Sequence, residues 1–439
     1  MSIANDETPK IIVVGGGAGG LELVTKLGQK LGKKNKANIT LVDSTQTHIW
    51  KPLLHEVAAG TLDSHQDEIE YLGQAMNSGF RFCRGRMDSL DRANKTIMLA
   101  ATHNTDGIEI IPRRSFDYDT LIISVGSVSH DFGIAGVAEH CLFLDTTAQA
   151  ESFQTQLLEA YIRAHTQGRP IDKGQLDIAI VGAGATGVEL SAQLHEVSHL
   201  LSTYGLDEVQ PADVSISIIE AADRVLPGLP EKLSTATKIE LGKLGVNLLT
   251  NERVIKVTAD EIRTESGKVI PAAIKVWAAG IKAPAFLANL GLETNAINQL
   301  EVKQSLQTTS DDDIYAIGDC AACDWQGHEG NVPPRAQAAH QMASLVYKSI
   351  VRRMADKSIP DYHYYDHGSL VSLGKYSTIG NMMGNLSKGS LMIEGFLARM
   401  MYLSLYKMHQ VALFGFFRVG MLSLSHLFRR SVHPKIKLH

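Results

Sequence analysis

A glycine-rich segment near the start of the sequence has the residue spacing of a phosphate-binding turn. It satisfies G-x-G-x-x-G, follows the apolar, β-branched stretch Ile11–Val14, and leads into an amphipathic helical pattern. In such a strand–turn–helix unit the glycines allow a tight turn, close approach of a pyrophosphate, and close packing of the helix on the strand. The N-terminus of the helix offers amide groups to the phosphates. The candidate binding residues are Gly15, Gly16, Gly17, Ala18, Gly19 and Gly20.

The same unit occurs again later in the chain. The apolar stretch Ile178–Val181 precedes a segment in which Gly182, Gly184 and Gly187 repeat the spacing, and a helical pattern follows. Two such units in one chain predict two bound dinucleotides.

An acidic residue ends the second strand of each unit. Asp43 ends this strand in the first unit, and Glu220 ends it in the second. A carboxylate at this place binds ribose hydroxyl groups. Glu220 therefore favours NADH over NADPH. Arg224, four residues later, leaves open the binding of the 2′-phosphate of NADPH.

The elements that must position these residues belong to a chain of ordinary globular composition. Its 439 residues suggest about three domains at about 150 residues each. The hydrophobic fraction of 44% is that of a folded protein, and the net charge of −5 gives no sign of a nucleic-acid partner. Four cysteines do not make a disulfide framework. The first apolar stretch runs into glycines and is no secretory signal, so we expect retention in the cytoplasm.

The composition changes after Glu394. From Gly395 to His439 there is no Asp or Glu, while seven Lys and Arg residues alternate with aromatic and aliphatic ones. The tail therefore carries +7 and the rest of the chain −12, although the total is only −5. Arg399, Lys407 and Arg418 are separated by eight and eleven residues, which are near whole helical turns, so we expect them on one helix face.

This tail predicts attachment to a membrane surface. A basic amphipathic helix lies in the headgroup region with its aromatic face down, and anionic lipid attracts its cations. No stretch reaches the ~20 apolar residues that are needed to span a bilayer. The alternative is a helical tail that docks on the core or forms a dimer.

Three further segments resemble the flavoprotein superfamily with two dinucleotide-binding domains. Residues 118–126 resemble its strand that ends in a short glycine motif, although Ser-Val-Gly126 replaces the usual Ala-Thr-Gly. The stretch that ends at Gly280 resembles the matching motif of the NAD domain. Residues 309–319 resemble the second FAD signature, in which Gly318 lets the flavin lie close and Asp319 binds the ribityl chain.

Within that superfamily the chain is similar to the type II NADH dehydrogenases over nearly its full length. The segments that carry the resemblance are 48–60, 186–189 and 336–341, the last being close to the A-Q-x-A-x-Q quinone motif. The resemblance implies FAD-dependent oxidation of NADH and two-electron reduction of a membrane quinone, without proton pumping. It also implies that Lys51, His55 and Lys375 lie near the flavin, although a packing role for His55 is equally open.

Three side chains in these motifs allow two interpretations each. Glu189, in the first turn of the second fingerprint helix, either complements the helix dipole or helps to couple hydride and proton movement at the nicotinamide–flavin junction, as the resemblance implies. Gln337 and Gln341 share a helix face because they are four residues apart. That face is either solvated or donates hydrogen bonds to the quinone carbonyls, and the motif favours the quinone.

A Cys-x-x-Cys pair, Cys320 and Cys323, is a candidate redox dithiol or half of a metal site. No second such pair completes a zinc site, and the disulfide reductases of the superfamily carry their cysteines at other positions. We therefore interpret the pair as small residues at the start of a helix that follows Asp319. The histidines show no H-E-x-x-H or similar spacing, so no metal is expected.

The predicted fold is α/β, with two Rossmann-like domains, the NAD domain inserted in the FAD domain, and a helical membrane segment at the C-terminus. The expected boundaries are 1–145 and 299–380 for the FAD domain, 146–298 for the NADH domain, and 381–439 for the membrane segment. We expect a peripheral enzyme on the cytoplasmic face of the inner membrane. Dimer formation, a sulfide:quinone reductase, and a redox sensor that binds FAD and NADH without turnover are left open.

Overall fold

The computed structural model describes residues 8–104, 106–374, 377–384 and 387–429, and the chain divides into two compact units. Unit 1 takes in the chain up to Trp50 together with Glu68–Val128 and Ile281–Asp366. Unit 2 comprises Lys51–Asp67, Ser129–Gly280 and the chain from His367 onward.

The helices and strands have the following bounds. The helices are α1 (Ala18–Lys30), α2 (Leu54–Ala59), α3 (Ser64–Asp67), α4 (Tyr71–Ser78), α5 (Val137–His140), α6 (Thr147–Thr166), α7 (Ala185–Ser198), α8 (Glu231–Lys243), α9 (Ala336–Arg353), α10 (Gly395–Phe414) and α11 (Phe416–Arg429). The strands are β1 (Lys10–Val14), β2 (Asn38–Asp43), β3 (Thr47–His48), β4 (Ile69–Glu70), β5 (Arg81–Arg84), β6 (Met87–Asp91), β7 (Thr96–Leu99), β8 (Thr102–His103), β9 (Glu109–Ile111), β10 (Arg114–Asp117), β11 (Thr120–Ile123), β12 (Val128–Ser129), β13 (Leu142–Phe143), β14 (Ile178–Val181), β15 (Ile216–Ile219), β16 (Asn247–Leu249), β17 (Val254–Val257), β18 (Glu261–Thr264), β19 (Val269–Pro271), β20 (Ile274–Trp277), β21 (Ile281–Lys282), β22 (Leu300–Glu301), β23 (Gln307–Thr308), β24 (Asp311–Ala316), β25 (Ala321–Ala322), β26 (Gly368–Leu373), β27 (Ser377–Gly384) and β28 (Ser387–Glu394).

Unit 1 is built on a six-stranded sheet in the order β23-β24-β11-β1-β2-β5. Its strands pair in parallel except for the edge strand β23, which is antiparallel to β24. The residues Ile11–Val14 of β1 are all buried, as expected for a parallel strand that is covered on both faces. The chain order reverses between β1 and β11, and ligands of such sheets bind outside the carboxyl ends of the strands at that point.

Unit 2 repeats this arrangement in a five-stranded parallel sheet, β13-β20-β14-β15-β16. The reversal point lies between β14 and β20, which are both fully buried strands. The prediction of two Rossmann-like domains, one inserted in the chain of the other, is therefore confirmed. The inserted part runs from Ser129 to Gly280, and unit 2 also takes in Lys51–Asp67 and the C-terminal elements.

The C-terminal part of unit 2 begins with the antiparallel sheet β26-β27-β28 and continues into α10 and α11. The helices start at Gly395, where the composition changes. Gly415 lies between them with a φ of +79°, so the helix is interrupted there. The expected common face of Arg399, Lys407 and Arg418 is therefore wrong, because Arg418 belongs to a separate helix. Among the described residues, no helix combines the length and apolar character that crossing a membrane requires.

Candidate active site

In unit 1, two glycines of the first fingerprint are required by the backbone itself. Gly15 has a φ of +100°, and a Cβ atom there would lie 2.3 Å from the carbonyl oxygen of Ser124. A Cβ on Gly20 would lie 1.9 Å from the carbonyl oxygen of Gly15. The turn therefore passes close to β11, and α1 packs directly against the turn, as the spacing predicts.

Gly17 is a glycine for a different reason. A Cβ at this position would meet no protein atom within 4 Å, and its φ of −64° suits any residue. Gly17 is also the N-cap of α1, and no side chain caps this helix end. Open space beside uncapped helix amides fits a pyrophosphate, which would bind where a side chain otherwise stands. The residues Ala18, Gly19 and Gly20 form the first turn of the same helix.

Asp43 holds the fingerprint loop from the end of β2. Its Oδ2 accepts a hydrogen bond of 2.6 Å from the Gly16 amide, and its Oδ1 accepts two of 2.8 Å from the amide and the hydroxyl of Thr45. Each carboxylate oxygen has two lone pairs, so Oδ2, which accepts one hydrogen bond, retains capacity for a ribose hydroxyl group, whereas both lone pairs of Oδ1 are used.

Tyr71 is a member of this site that the sequence did not reveal. Its hydroxyl donates to the Gly16 carbonyl at 2.9 Å. Burial, together with the charge of Asp43, raises the pKa of Tyr71 well above its ordinary value, so the hydroxyl stays a donor. The residue begins α4, far from the fingerprint in sequence, and no local pattern singles it out.

The second fingerprint, in unit 2, has the same construction. Gly182 has a φ of +105°, and its Cβ would lie 2.8 Å from the Ala278 carbonyl group. A Cβ on Gly187 would lie 2.1 Å from the carbonyl oxygen of Gly182, whereas a Cβ on Gly184 would meet nothing within 4 Å. Gly184 is the N-cap of α7, again without a side-chain cap.

Glu220 holds the second fingerprint loop through hydrogen bonds to backbone amides, as Asp43 holds the first. Its Oε2 accepts from the Ala183 amide at 2.7 Å, and its Oε1 accepts from the Ala222 amide at 2.8 Å. Ala183 is the second fingerprint residue, as Gly16 is in unit 1. Arg224 donates to the Pro227 carbonyl at 3.2 Å, so its guanidinium already holds the loop that follows β15.

The remaining glycine motifs lie at the carboxyl ends of their strands. Gly126, after β11, and Gly318, after β24, have φ angles of +68° and +73°. Beside them the Ser127 hydroxyl donates to Asp319 Oδ2 at 2.8 Å, which orients the carboxylate of the second FAD signature. Ser127 directly follows the glycine motif, and that position was the signal that could have found it.

In unit 2, Gly280 follows β20 with a φ of +67°. This φ favours glycine, and a Cβ there would lie 2.4 Å from the tip of the exposed Phe132 ring, which would have to turn away. Lys51, expected near the flavin, forms an ion pair of 3.4 Å with Asp145 of the same unit.

Glu189 is a buried acid on α7 of unit 2. Its Oε1 accepts a 3.0 Å hydrogen bond from the Ser372 amide. Burial raises the pKa of Glu189 to about 8, with Glu56 adding to the rise and the Ser372 bond opposing it. The group is therefore predominantly protonated at neutral pH and can donate a proton. His55 of α2 lies beside it, with its Nδ1 3.6 Å from Glu189 Oε2.

Gln337 and Gln341 lie on one face of α9 in unit 1, as predicted, and both contact the segment at residues 365–366. Gln337 donates to Asp366 Oδ1 at 3.1 Å. Gln341 pairs with the backbone of Tyr365, donating to its carbonyl at 2.8 Å and accepting from its amide at 2.9 Å. In this arrangement the two amides orient the chain that follows α9.

His340, between the two glutamines, forms an ion pair with Glu22 of α1. The Glu22 pKa is lowered even though burial acts to raise it, because His340 and Lys26 stabilise the carboxylate. This partly buried contact ties the first fingerprint helix to α9. The sequence alone did not suggest it.

The cysteine pair of unit 1 does not open a helix, and that interpretation was wrong. Cys320 ends a short 3₁₀ turn, the strand β25 follows, and α9 begins only at Ala336. Both thiols are buried, which raises the pKa of Cys320 to about 11 and that of Cys323 to about 12.

Lys375 lies outside the described residues. Within those residues, no group of three His, Cys, Asp or Glu side chains could hold a metal ion.

The comparison with known proteins agrees with these features. Residues 9–343 match the model of the family described as pyridine nucleotide-disulphide oxidoreductase. The fold is similar to that of NDH2 from Plasmodium falciparum in complex with NADH, with a TM-score of 0.81 and 20% identity over 98% of this chain and all of the other. It is also similar to the sulfide:quinone oxidoreductase of Aquifex aeolicus, with a TM-score of 0.72 and 17% identity over 93% of this chain and 92% of the other.

A closer relative in sequence is the type II NADH:quinone oxidoreductase of Haemophilus influenzae. It is 41% identical over 98% of this chain and 99% of its own length. The chain therefore belongs to the pyridine nucleotide-disulphide oxidoreductase family and, within it, to the type II NADH:quinone oxidoreductases. The resemblance inferred from the motifs is confirmed.

Proposed function

We propose that this chain oxidises NADH and reduces a quinone by two electrons, with FAD as its bound cofactor and without proton pumping. The observation that carries the proposal is the duplicated site, in which an acid at the end of a second strand holds the second residue of a glycine turn. Asp43 and Gly16 make this contact in unit 1, and Glu220 and Ala183 make it in unit 2. The name of the relative from Haemophilus influenzae gives the same reaction.

Unit 1 has the groups that FAD binding needs. The open space at Gly17 and the uncapped end of α1 accept the pyrophosphate, and Asp43 accepts the ribose hydroxyls. Asp319, oriented by Ser127, accepts the ribityl hydroxyls. Bound there, FAD would supply the two-electron chemistry that links NADH oxidation with quinone reduction.

Unit 2 has the matching groups for NADH. Gly184 and the N-terminus of α7 receive the pyrophosphate, and Glu220 receives the ribose hydroxyls. A carboxylate accepts hydrogen bonds from a free 2′-hydroxyl and repels a 2′-phosphate, which supports NADH over NADPH.

Glu189 is the proton donor in this proposal. Reducing a quinone to a quinol requires two protons, and a carboxyl group with a pKa of about 8 is predominantly protonated at neutral pH. Gln337 and Gln341 would position the quinone side of the site, in part by holding residues 365–366 in place. Lys51 and Lys375 keep the flavin-proximal role that the family resemblance implies.

Attachment to a membrane through α11 is part of the proposal. Phe416 and Phe417 are 85% and 83% exposed, and Met421, Leu424 and Phe428 are also exposed. A helix with this much exposed aromatic and aliphatic surface suits the headgroup region of a bilayer. The cations of the basic tail would add attraction to anionic lipid on the cytoplasmic side, where the enzyme would meet its quinone.

Stopped-flow spectroscopy tests the reaction directly. NADH should bleach the flavin absorbance of the full-length protein, and a soluble quinone analogue should restore it. A protein that only senses redox state would not return to its oxidised spectrum repeatedly, and a sulfide:quinone reductase would be bleached by sulfide instead of NADH. Failure of NADH to bleach the flavin would refute the proposed function.

A further inference from the structure

Unit 2 contains a histidine that lies between two glutamates and has no role in the mechanism given above. His55, on α2, is 2% exposed. Its Nδ1 lies 3.6 Å from Glu189 Oε2, and its Nε2 lies 4.0 Å from Glu56 Oε1. The two ring nitrogens therefore approach two different carboxyl groups.

The local structure holds this arrangement in place. The helix α2 packs on α6 and α7. The Thr61 hydroxyl lies 3.2 Å from both the Glu56 carbonyl oxygen and Gln193 Oε1, which ties the end of α2 to α7. The Ser372 amide holds Glu189 Oε1 and leaves Oε2 on the side of His55.

The imidazole is neutral at physiological pH. Burial lowers the pKa of His55 to about 4, and a hydrogen bond to the Pro52 backbone opposes this only in part. Its Nε2 is buried and has no hydrogen-bond partner among the described residues. A buried ring nitrogen without a partner is costly for stability alone, and it is the atom that a transferred proton could occupy.

The two glutamates differ in their access to water. The side chain of Glu189 is 7% exposed, whereas that of Glu56 is 23% exposed. The carboxyl group at the inner end is thus enclosed, and the one at the outer end reaches solvent. Tyr402 and Tyr406 of α10 face these carboxyl groups, with Asp67 and Lys407 beyond them.

We propose that Glu56 and His55 form a relay that returns a proton from water to Glu189 in each catalytic cycle. The inference rests on the proposed function. Its overall reaction, NADH plus H⁺ plus quinone to NAD⁺ plus quinol, consumes one proton from solvent. Glu189 gives up its proton to the product and is reprotonated from His55 Nδ1, while His55 Nε2 takes a proton from Glu56 and Glu56 takes one from water. Glu56 and Glu189 thus end the cycle as they began, and His55, which now carries its proton on Nε2, regains the Nδ1-protonated tautomer by exchange of its ring proton before the next cycle.

The relay makes His55 and Glu56 positioning residues that act through Glu189. The variants His55→Gln and Glu56→Gln retain polar side chains of similar size but cannot pass on a proton. Both should slow the quinol-forming phase about 10–100-fold at pH 7, because positioned proton transfer contributes at least that much, and Glu56→Gln should leave NADH-dependent bleaching within twofold of the wild type. Glu56→Asp should recover most of the rate. Glu151→Gln is the matched control, because Glu151 accepts a hydrogen bond from Ser64 in the same unit and lies outside the relay.

Infrared spectroscopy provides a readout other than turnover. The band of the protonated Glu189 carboxyl group is assigned by its loss in Glu189→Gln. After mixing of the full-length holoenzyme into heavy water, that band should shift at least tenfold faster in the wild type than in His55→Gln or Glu56→Gln. A merely structural role for His55 would not change this exchange rate.

The outcomes separate the relay from the proposed function. If NADH does not bleach the wild-type flavin, the proposed function fails. If the wild type turns over but both variants match it in quinol formation and in exchange rate, the relay is refuted. If His55→Gln loses FAD, Glu56→Gln decides the question, because its side chain lies at the partly exposed end of the cluster.

Discussion

Two glycines of the second fingerprint should respond in opposite ways to the same substitution. Gly184 and Gly187 are three residues apart at the start of α7. A Cβ on Gly187 would lie 2.1 Å from the Gly182 carbonyl oxygen, about 1.3 Å nearer than an ordinary contact. A Cβ on Gly184 would meet no protein atom within 4 Å. We therefore expect Gly187→Ala to damage the fold and Gly184→Ala to damage binding alone.

The magnitudes follow from these contacts. Overpacking of this kind costs about 1–3 kcal/mol, which for a domain of this size lowers the melting temperature by roughly 3–10 °C. Gly184→Ala replaces one N-cap residue with a poorer one and should cost less than about 1 kcal/mol. Its methyl group, however, occupies the space for the pyrophosphate and should weaken NADH binding at least tenfold, or about 1.4 kcal/mol.

The assay pairs a thermal melt with an NADH titration monitored by protein fluorescence, on both variants and the wild type. Gly17→Ala and Gly20→Ala repeat the comparison in unit 1, with FAD retention in place of the titration. The reasoning is refuted if Gly184→Ala binds NADH as tightly as the wild type, or if Gly187→Ala melts at the wild-type temperature.

Three further predictions concern the acids and the tail. Glu220→Ala should weaken NADH binding at least tenfold and reduce the preference over NADPH, measured as the ratio of the two dissociation constants; an unchanged ratio would remove Glu220 from cofactor selection. Because burial raises the pKa of Glu189 to about 8, the protonated form is favoured in the folded state, and stability falls as pH rises from the unfolded-state value of about 4.5 through 8. In Glu189→Gln the melting temperature should therefore fall less steeply between pH 6 and 9, the difference in the free energy of unfolding being a few kcal/mol over this range. The same variant should slow turnover while FAD stays bound. A slope equal to that of the wild type would contradict the shifted pKa. Deletion of the chain after Glu394 should move the protein to the soluble fraction, and Phe416→Glu with Phe417→Glu should do so in the full chain, whereas sedimentation of the double variant with membranes would show that α11 is not the attachment surface.

Much of the dinucleotide chemistry could be predicted because it depends on local sequence. A turn with a positive φ admits glycine and few other residues, so Gly15 and Gly182 mark their turns without any knowledge of the fold. The buried strands before them are continuous apolar runs, and the acids Asp43 and Glu220 stand at strand ends. Each of these signals lies within a single strand–turn–helix unit.

Interpretations that depended on where an element ends failed. The spacing of Arg399, Lys407 and Arg418 assumed a single helix, but Gly415 ends α10 before Arg418 is reached. The interpretation of Cys320 and Cys323 assumed a helix where the chain forms a 3₁₀ turn and a strand. In both cases a helix was assumed over residues where the backbone takes another path, because residue spacing and residue type do not reveal where a helix begins or ends.

The sequence by itself determined that the chain folds into two Rossmann-like units and which glycines and acids stand at their turns and strand ends. It also determined the family, because the motifs that carry the chemistry are short and contiguous. Only the tertiary structure decided that Tyr71 and Ser127 support the first site, and that His55 lies between Glu56 and Glu189. These contacts join residues from separate elements, and burial sets their pKa values. Neither the distance between two elements nor the burial of a side chain is encoded in the spacing of residues along the chain.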